Sequence, residues 1–586
     1  MYCSLRRIPN KIRLGAAVSI VALAAGCGGS DKPIAPSHYA FLGFENLSGD
    51  PALDWTGKGS SEFLSRSLKQ AMDGSVLSPD SLARLGRSLG PRITAAPGAS
   101  TNRASAIGSG VNRLITGYVE RAPGGVRVTA SEEDVATHKT LRTVSAIAGA
   151  PFEALNRVAH EFSAKAAEPG TTSAEAFRLY CTALEKPINE APALLEQAVR
   201  LDPAYGRAWI ALLRTAIAAG DRGGAEDVAR RAHAQKLAPV DLAWIDFESA
   251  TASGDRDAGL AAMRKISELE PDDIELARSL AIAETNAGDF RSAASVWKRI
   301  TTSAPQDADA WNQLGYALCW SADYQGALAA IHEYARIRPA EPNPLDSEGD
   351  IHFWFAKYSE AAKSYTAANA KSPSFLNGGD LYKAAWAKFL AGDKAGADAS
   401  FSGFQAGRTR VKDPSVPLFV SDWQYRTGRA KEARNTANAG LQKDSPPVRA
   451  ALAAQIALWD LIEGDRAGAA KDVMAGGNSG ITPSDLIVRF AALPSASAAE
   501  WAARAQKDLS APQVAAIRQM ALGYALILDG KREAAIPVWE EIAAKASGTD
   551  FFARVMLARL KKQQPAVAVV PDPINVNPFA ALAAHL

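Results

Sequence analysis

The chain has 586 residues, of which 47% are hydrophobic and 22% are charged. It is therefore too long for one hydrophobic core and too apolar to be intrinsically disordered. Its 65 Lys and Arg residues nearly balance its 63 Asp and Glu residues, which gives a net charge of +2. This balance excludes the strongly basic surface typical of nucleic-acid-binding proteins, and it also excludes an acidic tail.

Residues 1–27 are predicted to be an export signal. A basic start, with Arg6, Arg7, Lys11 and Arg13, precedes the apolar stretch 14–25, which is too short to span a membrane as a mature helix. The stretch ends in Leu-Ala-Ala-Gly-Cys, which resembles a bacterial lipobox. The resemblance implies that Cys27 is acylated and that the protein is lipid-anchored in the bacterial cell envelope, facing the periplasm or at the outer membrane. An ordinary secretory signal that happens to contain cysteine is the alternative, and residues 28–37 are predicted to be a flexible tether.

Residues 38–167 alternate between short strand patterns and helical patterns. Strands are predicted at 38–44, 75–77, 113–120, 126–131 and 140–147, and helices around 63–72, near 81–89 and at 151–167, with a loop or loose helix at 91–105. The segments FENLSGDP (44–51), LITGYVER (114–121) and VRVTASEEDVATHKTL (126–141) resemble the TolB N-terminal-like α/β domain. The resemblance implies a small binding or docking module with no known chemistry.

A period of 34 residues dominates the rest of the chain. Pro271, Pro305, Pro339 and Pro373 are each 34 residues apart, and the same step relates Ala293, Ala327 and Ala361. Such a period with small residues at fixed positions indicates stacked helical hairpins. Gly315 and Ala327 are predicted to let the two helices of one hairpin approach closely. Gly-Asp pairs such as Gly220-Asp221 are predicted to form the turn between them, because glycine accepts the left-handed conformation that ends a helix.

The hairpins resemble the tetratricopeptide repeat, with Trp311, Leu314, Gly315, Ala327 and Pro339 at that family's signature positions. The predicted fold is therefore mainly α, a tetratricopeptide-type α-solenoid superhelix preceded by the small α/β domain. The array is placed at 172–549, about ten units with an irregular part at 481–510. Residues 550–586 are assigned to a capping helix and an extended tail.

No pattern for catalysis, a cofactor or a metal is found. His160-Glu161 and His332-Glu333 begin the zinc motif H-E-x-x-H, but neither has the second histidine. His332 and His352 lie in adjacent repeats and are expected to be ordinary helix residues rather than a metal site. Cys181 and Cys319 fall in separate repeats, too far apart for a disulfide, and are expected to pack as small hydrophobic residues.

The candidate site is a surface. In the tetratricopeptide family the first helix of each hairpin lines the inner groove, so the resemblance implies that its side chains meet a partner. The predicted partner-binding residues are Trp244, Asn312, Tyr316, Trp320, Asp346, Asp350, Tyr382, Trp386, Asp422 and Tyr425. The alternative is that these rings only pack one repeat against the next. Asp346 and Asp350 stand where a carboxylate clamp would need cations, which argues against chaperone C-termini as ligands.

The sequence thus predicts a non-enzymatic, lipid-anchored envelope scaffold that binds a protein or peptide on the concave face of its repeats and binds no nucleic acid. A SusD-like glycan-binding lipoprotein is the first alternative, because surface tryptophans stack on sugars. An accessory or sensor component of an envelope signalling or assembly system is the second. An enzyme of unfamiliar type ranks below these alternatives.

Overall fold

The computed structural model of the protein describes residues 37–79, 82, 101–108, 110–475, 488, 492, 511–545 and 551–563. These residues form two compact units. The N-terminal unit comprises 37–284 with 295–306, and the C-terminal unit comprises 285–294 with the described residues from 307 onward. The export signal, most of the tether, the helix predicted near 81–89, most of the irregular part and the extended tail lie outside the described residues.

The chain begins with a six-stranded mixed sheet in the order β3-β1-β4-β5-β6, with β2 paired to β4. The strands are β1 His38–Phe41, β2 Glu45–Asn46, β3 Ser75–Leu77, β4 Arg113–Ala122, β5 Gly125–Asp134 and β6 Lys139–Ala148. β1 is parallel to β3 and β4, whereas β4, β5 and β6 form an antiparallel meander. The helices of this module are α1 Thr56–Leu68, α2 Thr101–Gly108 and α3 Pro151–Phe162. All five strands predicted from the sequence are present, and part of the predicted loop or loose helix 91–105 is the start of α2.

Glycines occupy the positions of the β4–β6 meander where a residue with a Cβ would clash or be strained. A Cβ at Gly117 would lie 2.4 Å from the ring of Phe44 and 2.1 Å from the carbonyl oxygen of Thr129. Glycine is therefore required for Phe44 to pack flat on β4. At the β4–β5 turn, Gly124 and Gly125 have φ of 91° and 135°, conformations that residues with a Cβ rarely adopt.

The helices after the sheet pair into antiparallel hairpins, except the last, which is single, and residues 476–510 between two of the hairpins lie almost wholly outside the described part of the chain. We call the two helices of each hairpin its first and second helix. They are α4 Ala174–Ala183, α5 Ala191–Leu201, α6 Gly206–Ala218, α7 Arg222–His233, α8 Pro239–Ser253, α9 Arg256–Leu269, α10 Ile274–Ala287, α11 Phe290–Ser303, α12 Ala308–Trp320, α13 Tyr324–Ile337, α14 Asn343–Trp354, α15 Tyr358–Lys371, α16 Gly379–Leu390, α17 Lys394–Arg410, α18 Val416–Arg426, α19 Ala430–Lys443, α20 Pro446–Glu463, α21 Arg466–Ala475, α22 Ala511–Leu528, α23 Arg532–Lys545 and α24 Phe551–Leu560. The repeat array predicted from the 34-residue period is thus confirmed.

The sheet module shares a core with the first hairpin. Phe63 on α1 lies edge-to-face with Phe152 on α3 at 5.2 Å and with Phe177 on α4 at 5.6 Å between ring centroids. Phe63 and Phe177 are fully buried. Helix α1 is therefore held between the sheet and the first hairpin. Its polar face is directed toward the repeats that follow.

Within a hairpin, glycine sets the distance between the helices. A Cβ at Gly315 would lie 2.7 Å from Cδ1 of Ile331, and one at Gly349 would lie 2.5 Å from Cε1 of Tyr365. Both approaches are shorter than a carbon–carbon contact allows, so only glycine permits this packing. The close approach predicted for Gly315 is confirmed.

The turns between the two helices use the Gly-Asp pairs in two ways. Gly220, for example, has φ of 73°, and its successor Asp221 accepts a hydrogen bond from the amide of Gly224 at 2.9 Å. Glycine thus ends the first helix and aspartate caps the second. Two hairpins lack the glycine and place alanine in the left-handed region instead, Ala322 with φ of 68° and Ala356 with φ of 56°.

Candidate functional site

The first helices of successive hairpins lie side by side, and residues one period apart contact each other. In the N-terminal unit, Nε of Arg214 donates to Oε1 of Glu248 at 2.7 Å. In the C-terminal unit, the hydroxyl of Tyr316 donates to Oδ2 of Asp350 at 2.9 Å. The same position is occupied by Ile282 in the hairpin between these two pairs. We call the residues at this ninth position of the repeats the inner line; they are Arg214, Glu248 and Ile282 in the N-terminal unit and Tyr316 and Asp350 in the C-terminal unit.

Lys383 organises a buried polar cluster where three hairpins meet. Its Nζ lies 2.6 Å from Oδ1 of Asp346 and 2.9 Å from Oδ1 of Asp350, and the three side chains are at most 7% exposed. The hydroxyl of Tyr365 also donates to Asp350 at 2.8 Å. These residues are held by one another, so the cluster fixes α14 and α16 relative to each other.

Both burial and ion pairing shift the pKa values of the carboxyl groups in this cluster. Burial would raise the pKa of Asp350, but the ammonium of Lys383 holds it below its usual value. Burial and the neighbouring Asp350 raise the pKa of Asp346. Burial, together with the Asp346 carboxylate, raises the pKa of Asp380 to about 8. Asp380 therefore keeps its proton at neutral pH, because burial and the Asp346 carboxylate outweigh the opposing effect of the Lys383 ammonium.

A cluster of rings extends the buried interior beyond Lys383. The centroid of Trp386 lies 4.7 Å from that of Trp423, and Phe401 stacks on Trp423 at 4.8 Å with an interplanar angle of 4°. Arg426 covers the Trp386 ring, its guanidinium carbon 4.5 Å from the centroid. Trp386 and Tyr382 are 3% and 7% exposed. In this structure both rings contact other parts of the chain rather than solvent.

Asp422 and Tyr425 lie on α18 and are half-buried. Burial raises the pKa of Asp422, against the effect of Arg426, whose Nη1 lies 3.6 Å from the carboxylate. Tyr425 stacks on Trp459 at 4.6 Å and donates its hydroxyl to Glu463 at 3.1 Å. One edge of each side chain therefore remains at the surface.

Three predicted residues on α12 lie together. Tyr316 and Trp320 stack at 5.6 Å, and Trp320 also contacts Phe290 at 5.4 Å. Both rings of the stack are half-buried. Oδ1 of Asn312 is buried and accepts no hydrogen bond from the described residues.

Trp244 lies in the N-terminal unit, apart from the other predicted residues. It is half-buried on α8, edge-to-face with Phe247 at 5.8 Å, and the guanidinium carbon of Arg214 lies 6.0 Å from its centroid. The ring forms part of the wall of a cavity of about 760 Å³ between α1 and the repeats. This cavity could not be predicted from the sequence, because its two walls, around residues 62–70 and 240–279, are distant in the chain.

The structure brings together three of the predicted partner-binding residues, Tyr316, Asp346 and Asp350, and joins them to residues that the sequence analysis did not select. These are Lys383, Tyr365 and Asp380. The sequence LYKAAWA (381–387) could have indicated that Lys383 is buried. Its lysine stands among five small or aromatic residues, and a helical segment of that composition is usually buried. Whether any of the ten predicted residues contacts a partner stays a prediction.

The described residues offer little reactive chemistry. Cys181 and Cys319 are buried and free, and burial raises the pKa of both thiols, which keeps them protonated. Nε2 of His332 and of His352 lie 3.4 and 3.8 Å from Oε1 of Glu348, so the two histidines share one carboxylate. Across the described part of the chain, no three His, Cys, Asp or Glu side chains are arranged to hold a metal ion. Nor is any described helix both long and apolar enough to cross a bilayer.

The geometry defines the class of protein: mainly α, a tetratricopeptide-type α-solenoid preceded by a small α/β domain. No family model matches the chain, and no curated protein sequence is similar to it.

Several solved structures are similar to parts of the chain. A crystal structure of the MamA protein is 16% identical with a TM-score of 0.26, and the match covers 29% of this chain and 93% of MamA. YrrB, described as a TPR protein with an unusual peptide-binding site, is 20% identical with a TM-score of 0.23, covering 31% of this chain and 91% of YrrB. The C-terminal part of a TPR repeat-containing protein from Cytophaga hutchinsonii is 13% identical with a TM-score of 0.31, and the match covers 39% of this chain and 93% of that structure.

Proposed function

We propose that the protein is a non-enzymatic scaffold that binds a protein partner along the first helices of its repeats. The observation that carries this proposal is the exposed apolar side chain on the inner line. Ile282 is 53% exposed, although the polar residues one period before and after it, Glu248 and Tyr316, are held by their neighbours. An exposed apolar side chain on a first helix, in line with polar residues that are already paired within the chain, is suited to a partner that covers it.

The hairpins of the C-terminal unit form a rigid framework for the first helices of that unit. The Lys383 cluster and the Trp386–Trp423 ring cluster join successive hairpins of the C-terminal unit through buried contacts. A rigid surface loses little conformational entropy when it binds, so even a modest contact area can give useful affinity. This role needs no catalytic group, consistent with buried thiols whose raised pKa leaves them unreactive.

Site-specific photo-crosslinking in cells tests the proposal. A photoreactive amino acid placed at Ile282, on a first helix, is expected to capture a discrete protein band. The matched control is Leu201, which is 55% exposed at the end of a second helix. Capture from both positions alike, or recovery of polysaccharide alone from Ile282, would contradict a protein-binding inner surface.

We further propose that acylation of Cys27 anchors the scaffold to a membrane of the bacterial envelope. The basic start of the chain, the short apolar stretch 14–25 and the lipobox-like residues before Cys27 support it. An anchor would raise the local concentration of the binding surface near membrane partners. Metabolic labelling with a palmitate analogue is expected to mark the protein and to fail with Cys27→Ser. Equal labelling of both forms, or none of either, would contradict the anchor.

A further inference from the structure

The cavity of the N-terminal unit is built by two separate parts of the chain. One wall is the polar face of α1, with Glu62, Arg66 and Lys69. The opposite wall is formed by α8, α9 and the start of α10, with Trp244 and Ile266 among its residues. At about 760 Å³ the cavity falls within the size range of pockets that bind drug-sized molecules.

The α1 wall is fixed to the repeats. Nζ of Lys69 at the end of α1 lies 3.2 Å from Glu270 and 3.1 Å from Asp273, across the cavity from its own helix. At the other end of α1, the ring of Trp55 packs edge-to-face against Phe177 of the first hairpin, with 6.1 Å between the ring centroids. Because both ends are held, the cavity is formed before any ligand binds.

Acidic side chains outnumber basic ones in the lining. Seven carboxylates and three basic side chains face the cavity. Two of those carboxylates, Glu248 and Glu275, are paired from outside the lining by Arg214 and Arg278 at 2.7 and 3.4 Å. Acidic groups remain in excess after these two arginines are counted. In a partly enclosed space this excess favours a positively charged ligand, since low-dielectric walls strengthen the field.

The charged lining is interleaved with apolar and aromatic surface. Trp244 and Phe247 present their rings, and Met263, Ile266 and Leu276 contribute aliphatic area. Rings beside carboxylates suit a lysine or arginine side chain, whose methylene stem packs on apolar surface while its head remains charged.

We infer that this cavity binds a short cationic peptide segment that carries lysine or arginine next to apolar residues. The inference rests on the proposed function, because it names the chemistry of a segment that the scaffold would hold. It adds the α/β module as one half of the binding site.

Calorimetric titration of the full-length protein with blocked tripeptides tests the inference. Acetyl-Lys-Leu-Lys-amide is expected to bind saturably and more weakly as salt is raised. Acetyl-Glu-Leu-Glu-amide is expected not to bind. The inference is overturned if neither peptide binds, or if the acidic peptide binds as well as the basic one.

Three variants locate the binding. Trp244→Leu is expected to lower the affinity for the basic peptide about tenfold, because ring surface is lost. Asp273→Asn is expected to lower it about threefold, because one carboxylate is lost. Asp273 also caps α10 through the amide of Leu276 at 3.0 Å, and asparagine caps helices equally well, so the fold is retained. Glu268→Gln, at a side chain 67% exposed and outside the cavity, is the control and should bind as the wild type. Unchanged affinity in both cavity variants would place the peptide elsewhere.

The two proposals fail separately. If photo-crosslinking from Ile282 captures a protein but the basic tripeptide does not bind, the scaffold function stands and the assignment of the cavity falls. If the tripeptide binds but Ile282 captures nothing, the cavity assignment stands and the inner line is not the partner surface.

Discussion

Replacing Lys383 with methionine removes the cation from the buried cluster and keeps most of the side-chain volume. The ammonium lies 2.6 Å from Asp346 and 2.9 Å from Asp350, all three side chains being at most 7% exposed. After the substitution the carboxylates of Asp346 and Asp350 remain buried beside each other without the ammonium that paired with them. One of them must then take up a proton or be hydrated, and either event weakens the contact between α14 and α16.

The expected loss follows from the burial of the pair. Removing one partner of a buried ion pair costs about 3–5 kcal/mol, because the other charge is left without compensation. Lys383 keeps the pKa of Asp350 below its usual value, against burial, so this carboxylate contributes stability above its ordinary pKa and loses it as the pH falls. The variant lacks that contribution. In the wild type that contribution is complete at pH 5 and above. In the variant the ammonium no longer opposes burial, so the pKa of a buried carboxylate rises and the variant loses stability as the pH rises. The difference from wild type should therefore be larger at pH 8 than at pH 5.

Hydrogen exchange read by mass spectrometry is the appropriate assay, because a repeat array opens in segments rather than in one transition. The free energy of opening should drop in α14 and α16. The control is Lys388→Met on the same helix, where Nζ donates to the hydroxyl of Ser400 at 2.8 Å and the side chain is half-buried. The loss of this partly exposed hydrogen bond to an uncharged acceptor should cost about 1 kcal/mol. Equal effects of the two substitutions, or an effect of Lys383→Met that ignores pH, would refute the reasoning.

Three further substitutions test the hairpins and the cluster. Ala322→Gly should stabilise its hairpin by about 0.5–1 kcal/mol in urea unfolding, because alanine is strained at a φ of 68°; Ala335→Gly in the interior of α13 should instead destabilise by about 1 kcal/mol. Gly349→Ala should lower the thermal midpoint by the equivalent of about 1–3 kcal/mol, because its Cβ would lie 2.5 Å from the ring of Tyr365, and an unchanged midpoint would contradict this packing. Burial and a neighbouring carboxylate raise the pKa of Asp380 to about 8, so the folded protein holds a proton that the unfolded chain releases, and this group's contribution to stability falls as the pH rises toward 8. Asp380→Asn should therefore gain stability relative to wild type between pH 5 and pH 8 in urea unfolding, whereas a constant difference would count against the raised pKa.

The hairpins could be predicted because each is specified locally. The prolines one period apart and Gly315 opposite Ile331 repeat the same short-range packing, so the spacing alone shows which helices pair. The Gly-Asp turns are similar, since the glycine conformation at Gly220 depends only on its own backbone. The aspartate cap that follows it was not predicted, although the spacing of Asp221 and Gly224 was visible.

The cluster and the cavity could not be predicted, because both depend on contacts between distant residues. Lys383 lies 33 residues after Asp350, at the sixth position of its repeat, which is not among the positions that the family pattern selects. Lysine is also rarely buried, and only the paired carboxylates make its burial possible here. The packing of Phe63 on Phe177 is likewise invisible to a periodic pattern, because α1 belongs to no repeat.

The Lys383 cluster also limits how the array can change in length. Tyr316, Asp350 and Lys383 come from three successive hairpins, and each supplies a different chemical group to the same buried contact. An extra hairpin inserted between these hairpins would separate the Lys383 ammonium from its carboxylates. The charges would then be buried without partners. Duplication or loss of repeats during evolution is therefore expected to be tolerated better outside this stretch, where polar contacts between neighbouring hairpins, such as Arg214 with Glu248, are only partly buried.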